Sequence, residues 1–529
     1  MKPGIFTCFL SVVFFLSAAY FTACKDDKSN VKVTDINLNK TSLSLTVGDA
    51  ETLIATVTPE NAVYKNIEWT SNTPGVCTVS ATGKVTALTA GTAVITATVS
   101  DGDVSSVFNK KTAVCNITVS EVKVSDVSLD KTELPITVGD KKTLIATIAP
   151  DKAANKNIVW TSSKPGVAAV ESATGEVTAV ESGAAVITAT TSDGGKTASC
   201  KVTVYDVYVA GAEGNFAKLW KNGVAQYANG GITNGATRAS ANSVYVSGED
   251  VYVAGYEYNG KGIPVARLWK NGQAQYKDGA LTDGTYNGYA RSVFVVGTNV
   301  FVAGEEYNSA GKSVAKLWKN GEVQYTAGGG LSNGLYFAEA HSVFVSDASV
   351  YVAGYDYNGS RDVAKLWLDG VAQYTGGSIT GGTYSANAYS VFVSGSDVYV
   401  AGFEFSGSKR VARLWKNGKT LYTLGEGTYD SRAQSVFVSG TDVYVAGYEE
   451  VNSAGTVTVA KLWKNGVAQN LTDGTLPEYA RSVFVSGDDV FVAGYVGNTA
   501  KLWKNGVKRE LDIGSGTSSA TSVFLATRD

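Results

Sequence analysis

The strongest constraint on this chain is a unit that returns seven times in its C-terminal part. Leu-Trp recurs with tryptophan at positions 220, 269, 318, 367, 415, 463 and 503, at spacings of 49, 49, 49, 48, 48 and 40 residues. A short repeated unit cannot bury its apolar face alone and must stack on its own copies; ~40–50 residues is the length of a four-stranded propeller blade. The second unit shows the strand order. Ser243-Val244-Tyr245-Val246 is a first strand, Ser247-Gly248-Glu249 turns the chain, and Asp250-Val251-Tyr252-Val253-Ala254-Gly255 is a second. After a polar loop, Val265-Ala266-Arg267-Leu268-Trp269 is a third strand, and Gln273-Ala274-Gln275-Tyr276 reads as a fourth. Between them Asn271-Gly272 is a hairpin turn of the kind that needs positive φ at both central residues. First and second strands are apolar on both faces, which predicts inner strands sandwiched between neighbouring sheets.

The array opens on a second strand, Asp206-Val207-Tyr208-Val209, and ends on a first, Ser522-Val523-Phe524-Leu525. An open stack would leave half a unit unpaired at each end. The pattern therefore predicts a closed seven-bladed β-propeller over residues 206–529, its last strand shared with its first so that no sheet edge is exposed.

Comparison among the seven units separates scaffold from variation. Alanine is constant ahead of the first strand (Ala241, Ala290, Ala340, Ala388, Ala433, Ala480, Ala520), and serine stands two residues later. Between them stand Asn242, Arg291, His341, Tyr389, Gln434, Arg481 and Thr521. One residue before the alanine stand Ser240, Tyr289, Glu339, Asn387, Arg432, Tyr479 and Ser519. Positions two apart on an extended chain point to one side, so around a ring they would form a polar and aromatic rim at one channel mouth. Such side chains stack on sugars and hydrogen-bond hydroxyls. Tyr289, Arg291, Glu339, His341, Asn387, Tyr389, Arg432, Gln434, Tyr479 and Arg481 are thus candidate binding residues for a glycan or a surface or extracellular protein. The bland alternative is a solvated loop face. The repeated tryptophan reads as packing between sheets rather than as a sugar platform.

Residues 32–205 carry a duplication at a constant offset of 91. Gly48 and Gly139 sit in Thr-Val-Gly-Asp, Trp69-Thr70-Ser71 matches Trp160-Thr161-Ser162, and Pro74-Gly75-Val76 matches Pro165-Gly166-Val167. Strands such as Ser42-Leu43-Ser44-Leu45-Thr46-Val47 alternate apolar and polar residues, so one face is buried and the other wet. About seven such strands in ~90 residues fit an immunoglobulin-like sandwich plugged by Trp69 or Trp160. Through these motifs both copies, 32–120 and 121–205, resemble bacterial Ig-like domains of group 2, the BIG2 family. That resemblance implies spacers or binding modules of surface proteins and adhesins. Cys77 and Cys115 are the only cysteine pair within one such domain, either a disulfide or, with Cys200, small buried hydrophobes.

The N-terminus reads as a targeting segment: Lys2, then an apolar run from Ile5 to Tyr20, then small residues meeting charge at Lys25-Asp26-Asp27. Phe21-Thr22-Ala23-Cys24 resembles a bacterial lipobox, with Phe21 where that motif carries Leu. The resemblance implies a signal peptide over 1–23, lipidation of Cys24, a tether over 24–31 and anchoring in the outer membrane of a Gram-negative bacterium, exposed on the cell surface. The competing reading is an uncleaved membrane helix.

The net charge of −3 gives no reason to expect a nucleic-acid partner. A single histidine excludes a repeated imidazole mechanism, and no nucleophile elbow, phosphate loop or zinc spacing is present. No metal or cofactor is expected. The reading is an all-β, non-catalytic surface binding and adhesion lipoprotein, two Ig-like domains presenting a propeller. A carbohydrate-active hydrolase or lyase working on two carboxylates, or a structural component of an outer-membrane complex, are the alternatives.

Overall fold

The computed structural model describes residues 31–100, 110–325, 330–452, 456–514 and 516–528. The expected signal peptide, Cys24 and the tether up to residue 30 lie outside the described residues. The chain divides into two compact units, the first running to Val124 with residues 149–155, the second holding 125–148 and 156 onward.

The first unit is a sandwich. A four-stranded sheet in the order Ser42–Thr46, Lys110–Ser120, Gly91–Ser100, Ile67–Ser71 shares one core with the three-stranded sheet Ala50–Thr52, Lys84–Ala87, Cys77–Val79. Alternation along Gly91–Ser100 buries Ala93, Ile95, Ala97 and Val99, as a period of two requires. Cys77 and Cys115 fill this core as free thiols, so the disulfide expectation is corrected in favour of small buried hydrophobes. Each sulfur has its own polar neighbour, the Ser71 side chain for Cys77 and the Asn116 carbonyl at 4.0 Å for Cys115, and burial raises the pKa of both.

The second unit begins with the sandwich's copy, whose core holds Trp160, Ile187 and the free thiol Cys200. The domain boundary expected at 205/206 falls inside one strand, Thr197–Glu213. Up to Tyr205 this strand pairs antiparallel with Gly183–Thr191 and parallel with Glu133–Thr137. Beyond it the same strand pairs with Phe216–Lys221 on one side and with Ser518–Ala526 on the other. Burial switches at Asp206 from alternate to nearly continuous residues, because the strand leaves a one-sided sheet for a position between layers. Side chains reinforce the junction. Ser182 donates to Asp206 at 2.8 Å, and Lys504 binds Asp489 at 2.7 Å as well as Asp140 of the sandwich.

Six further four-stranded sheets follow, each built like Ala239–Ser247, Asp250–Tyr258, Pro264–Lys270 and Gln273–Ala274. The first sheet is assembled from both ends of the array, with Tyr208 directly opposite Phe524. The fourth strand of the second sheet is shorter than read: expected over 273–276, it ends at Ala274, and Tyr276, at φ +71°, lies over the turn glycine Gly321 of the next sheet. The Asn-Gly and Asp-Gly turns adopt the expected positive φ at both residues in all seven sheets, from Asn222 (50°) and Gly223 (83°) to Asn505 (51°) and Gly506 (76°). The turn side chain also accepts the N–H of a second-strand valine, as Asn271 does from Val251 at 2.8 Å.

Each repeated tryptophan is buried in a core shared with the preceding sheet. Trp318 packs with Leu268 and Val293, and Trp220 packs with Phe491 and Leu502 of the last sheet. Inner-strand aromatics touch in sequence, Tyr245–Phe294–Phe344–Phe392–Phe437–Phe484–Phe524 and back to Tyr245, at centroid distances of 4.7–5.2 Å.

The constant Ala-x-Ser has a structural cause. In every sheet the register slips by one residue there, so the residue between alanine and serine is a β-bulge with no partner. The serine hydroxyl then accepts the valine N–H of the next sheet, Val293 from Ser243 at 3.2 Å and, at the end of the series, Val244 from Ser522 at 3.3 Å. The bulge also drives a carbonyl against the second strand, where a Cβ on Gly402 would strike the Asn387 carbonyl oxygen, and the equivalent glycines meet the same obstacle. Gly402→Ala is therefore expected to lower stability by ~2–4 kcal/mol. Gly260→Ala, at a position with open space, should change it by less than ~0.5 kcal/mol. Urea unfolding of the two variants checks this, and equal midpoints would contradict the packing argument.

Candidate functional site

The bulge decides where variable side chains go. Released from the ladder, the residue after the constant alanine turns to the same side as the one before it. Arg291 places its guanidinium 5.0 Å from the Tyr289 ring centroid. The residue before the alanine pairs across to the residue after the constant glycine of the second strand: Tyr289 with Glu305, Glu339 with Tyr355, Asn387 with Phe403, Arg432 with Tyr448 and Tyr479 with Tyr495.

From the second to the seventh sheet these side chains form one connected set. Tyr289 meets Tyr256 edge-on at 5.1 Å, and burial pushes its hydroxyl up to about 12. Arg291 donates to Glu305 through Nε at 3.1 Å and Nη2 at 2.5 Å, and reaches Glu339 at 3.8 Å. Glu305 is 1% exposed. Its burial raises the carboxyl pKa against the pull of Arg291. Glu339 accepts the Tyr355 hydroxyl at 3.0 Å. His341 lies between the Tyr355 and Tyr389 rings, at 5.9 and 5.2 Å, with Nε2 buried, 3.9 Å from Glu339 and without a hydrogen-bond partner. Burial and the Arg291 charge hold its imidazole down to about 3, so it is neutral at physiological pH.

Farther round, Tyr389 touches Phe403 at 5.8 Å, and Arg432 lies over Phe403 and Tyr448 at 5.5 and 5.9 Å. Arg481 donates to Gln434 and to the Tyr495 hydroxyl, both at 2.9 Å. Tyr479 is 4.7 Å from both Tyr448 and Tyr495. Asn387 is buried beside Phe403, its Oδ1 without a hydrogen-bond partner. The ten residues read from the sequence are thus brought together.

The sequence reading missed six members of the set. Tyr256, Glu305, Tyr355, Phe403, Tyr448 and Tyr495 all follow the constant Ala-Gly, and comparison of the units at that position would have found them. The small residues Ser240, Ser519 and Ala212 interrupt the crescent. There Tyr256 and Tyr495 flank a cavity of about 310 Å³ that also touches Arg238 and Asn498.

Two carboxylates share Arg291, but Glu305 is sealed beneath it as its counter-ion. A glycosidic acid/base pair needs both groups at the reacting bond. Among the described residues no group of three His, Cys, Asp or Glu side chains could hold a metal ion. No helix among them is long and apolar enough to cross a membrane.

Comparison with known proteins places the sandwiches. The bacterial Ig-like domain (group 2) family matches residues 32–107 and 123–202. The chain is 36% identical over 179 residues to an Ig-like virion protein of Serratia phage KSP90, a match covering 34% of this chain and 67% of that protein. It is 34% identical over 198 residues to an uncharacterized protein of Clostridium acetobutylicum, covering 37% of this chain and 20% of that one. An alpha-L-arabinofuranosidase of Bifidobacterium longum is 34% identical over 112 residues, 19% of this chain and 10% of the enzyme. Among solved structures, domains 4 and 5 of the S-layer protein SbsC match at 21% identity and a TM-score of 0.19, over 33% of this chain and 98% of theirs.

The buried imidazole makes a pH prediction. The folded pKa of His341 lies below the ordinary 6.5, so the unfolded chain binds more protons between that value and about 3. Its contribution to stability is full above pH ~6.5 and is lost as pH falls towards ~3. Relative to His341→Asn, the native protein should lose ~2–4 kcal/mol across this window. Denaturant midpoints of both proteins at pH 7.5 and pH 4 measure it, and parallel pH profiles would refute a neutral buried imidazole.

Proposed function

We propose, for a chain that belongs through residues 32–107 and 123–202 to the bacterial Ig-like domain (group 2) family, a non-catalytic role in binding at a cell surface. In this reading the two Ig-like domains are a stalk, and the seven sheets are the blades of a closed propeller whose rim holds the ligand. Support for the ring comes from three series that each return to their start: the strand pairing of Tyr208 with Phe524, the serine-to-valine hydrogen bonds, and the inner-strand aromatic contacts. A surface setting is supported by the relative named as an Ig-like virion protein. Lipidation of Cys24 would hold the chain in the outer membrane, a triacylated cysteine carrying enough acyl carbon for stable attachment.

The observation that carries the binding assignment is the connected crescent of tyrosines and arginines, its variable residues confined to one edge of an otherwise constant scaffold. Rigid aromatic faces beside fixed donors suit a glycan, or an exposed protein segment, at low entropic cost. The sealed position of Glu305 favours binding over glycoside hydrolysis.

Two measurements test this reading. On a glycan array the full chain should retain one or more sugars, and the triple change Tyr289→Ala, Tyr389→Ala, Tyr479→Ala should remove that signal while leaving the far-ultraviolet spectrum unchanged; undiminished signal would reject the rim. Cys24→Ala should abolish incorporation of labelled fatty acid and shift the protein from the membrane to the soluble fraction, and continued labelling would reject the anchor.

A further inference from the structure

The arginines of the repeat differ in how their charge is met. Arg291 is paired with Glu305, and Arg410 with Asp430 at 2.5 Å; Arg267 and Arg413 each lie 3.5 Å from a glutamate. Arg432 and Arg481 have no carboxylate within 4.0 Å among the described residues. The groups they touch are neutral, and the one carboxylate that acts on Arg432, Asp430, is itself paired with Arg410. Arg432 lies over the Phe403 and Tyr448 rings, and Arg481 over Tyr448, Tyr479 and Tyr495 at 6.0, 5.3 and 5.4 Å, its N–H groups held by Gln434 and Tyr495. They stand in adjacent sheets, Arg432 just before the constant alanine and Arg481 just after it. The charges of Arg432, Arg481 and Arg410 all act on the Tyr389 hydroxyl, opposing the rise that burial imposes on it, so three sheets direct cations at one place. Glu339, on the fourth sheet, shares Arg291 with Glu305. The rim is therefore polarised, with the arginines that lack a carboxylate partner on the sixth and seventh sheets.

We infer that this sector takes the anionic group of an acidic polysaccharide, a carboxylate or sulfate clasped by Arg432 and Arg481 while the sugar ring stacks on the adjoining tyrosine faces. The inference rests on the rim-binding reading and names its ligand class. Guanidinium groups match carboxylate and sulfate oxygens as forked donors, and their pre-set aromatic stacking lowers the cost of ordering them. An acidic peptide would satisfy the charge but offers no flat ring to the half-buried Tyr479 and Tyr495, so the aromatic faces beside the cations favour a sugar.

Titration of the full chain with polygalacturonate, dextran sulfate, neutral dextran and poly-glutamate tests it. At least one acidic polysaccharide should bind at least tenfold more tightly than dextran or poly-glutamate, and binding should weaken as NaCl rises from ~50 to ~500 mM. Which of the two binds better separates a carboxylate from a sulfate ligand. The double change Arg432→Gln, Arg481→Gln should cost at least tenfold in affinity, and the Arg432→Lys, Arg481→Lys protein, which keeps the charge, should recover part of it at an unchanged melting temperature. Dextran bound as well as the acidic polymers, with the glutamine variant unaffected, would overturn the anion assignment and leave the rim reading standing. Tighter binding of poly-glutamate would overturn the sugar assignment. Failure to bind either acidic polysaccharide would overturn the inference. Binding lost in the arginine variant but kept in the triple tyrosine variant would instead refute the wider rim and keep the anion site.

Discussion

A one-residue slip in register is the constraint from which most of the repeat follows. Because one residue in each first strand has no partner, the following serine can reach the next sheet, a carbonyl is pressed against the second strand, and only glycine fits there. The same slip places the unpaired residue at the edge, where its side chain is free of the ladder. Constancy and variation in the repeat are thus two results of one local geometry, since the atoms that must fit in every sheet are backbone atoms, while the side chain beside them answers only to its own neighbours. The serine bonds also mean that the sheets are joined by directional contacts as well as by tryptophan-filled cores, which fixes their rotation relative to one another.

The rim built on this scaffold is chemically uneven. One part is a self-satisfied knot in which Arg291 is shared by two glutamates and a neutral histidine lies between tyrosine rings. The other is a bank of aromatic faces with cations whose partners are neutral. A third stretch, around Ser240 and Ser519, is small-featured and open. Identical units would offer the same surface at each position, whereas graded chemistry of this kind makes each part of the set distinct.

Period and punctuation made much of the fold legible. Leu-Trp spacing, the Asx-Gly turns and the half-unit at each end of the array carry the strand order and the pairing of Phe524 with Tyr208. Trp160 and the alternating strands did the same for the sandwiches. What escaped the sequence depended on register or on neighbours in space. The bulge is invisible in a string of letters because Ala-x-Ser reads as ordinary extended chain. Tyr276 belongs by composition to a strand, but its place over Gly321 is set by the adjacent sheet. Two cysteines in one domain look alike whether bonded or free, and only the core around Cys77 and Cys115 distinguishes them. The candidate rim was partly legible: its first-strand members stood out against constant neighbours, while Glu305, Tyr355 and Tyr448 went unnoticed although they vary in the same way.

The strand Thr197–Glu213 belongs to both a sandwich and the repeat, with no linker between them. A pull applied to that sandwich travels along the strand axis into the first sheet. Bonds to Phe216–Lys221 and Ser518–Ala526 lie across the direction of such a force, so many must yield together instead of opening one after another like a zip. Ser518–Ala526 is one of the two strands that share this load, so a segment some three hundred residues away in sequence clamps the strand on which the pull arrives.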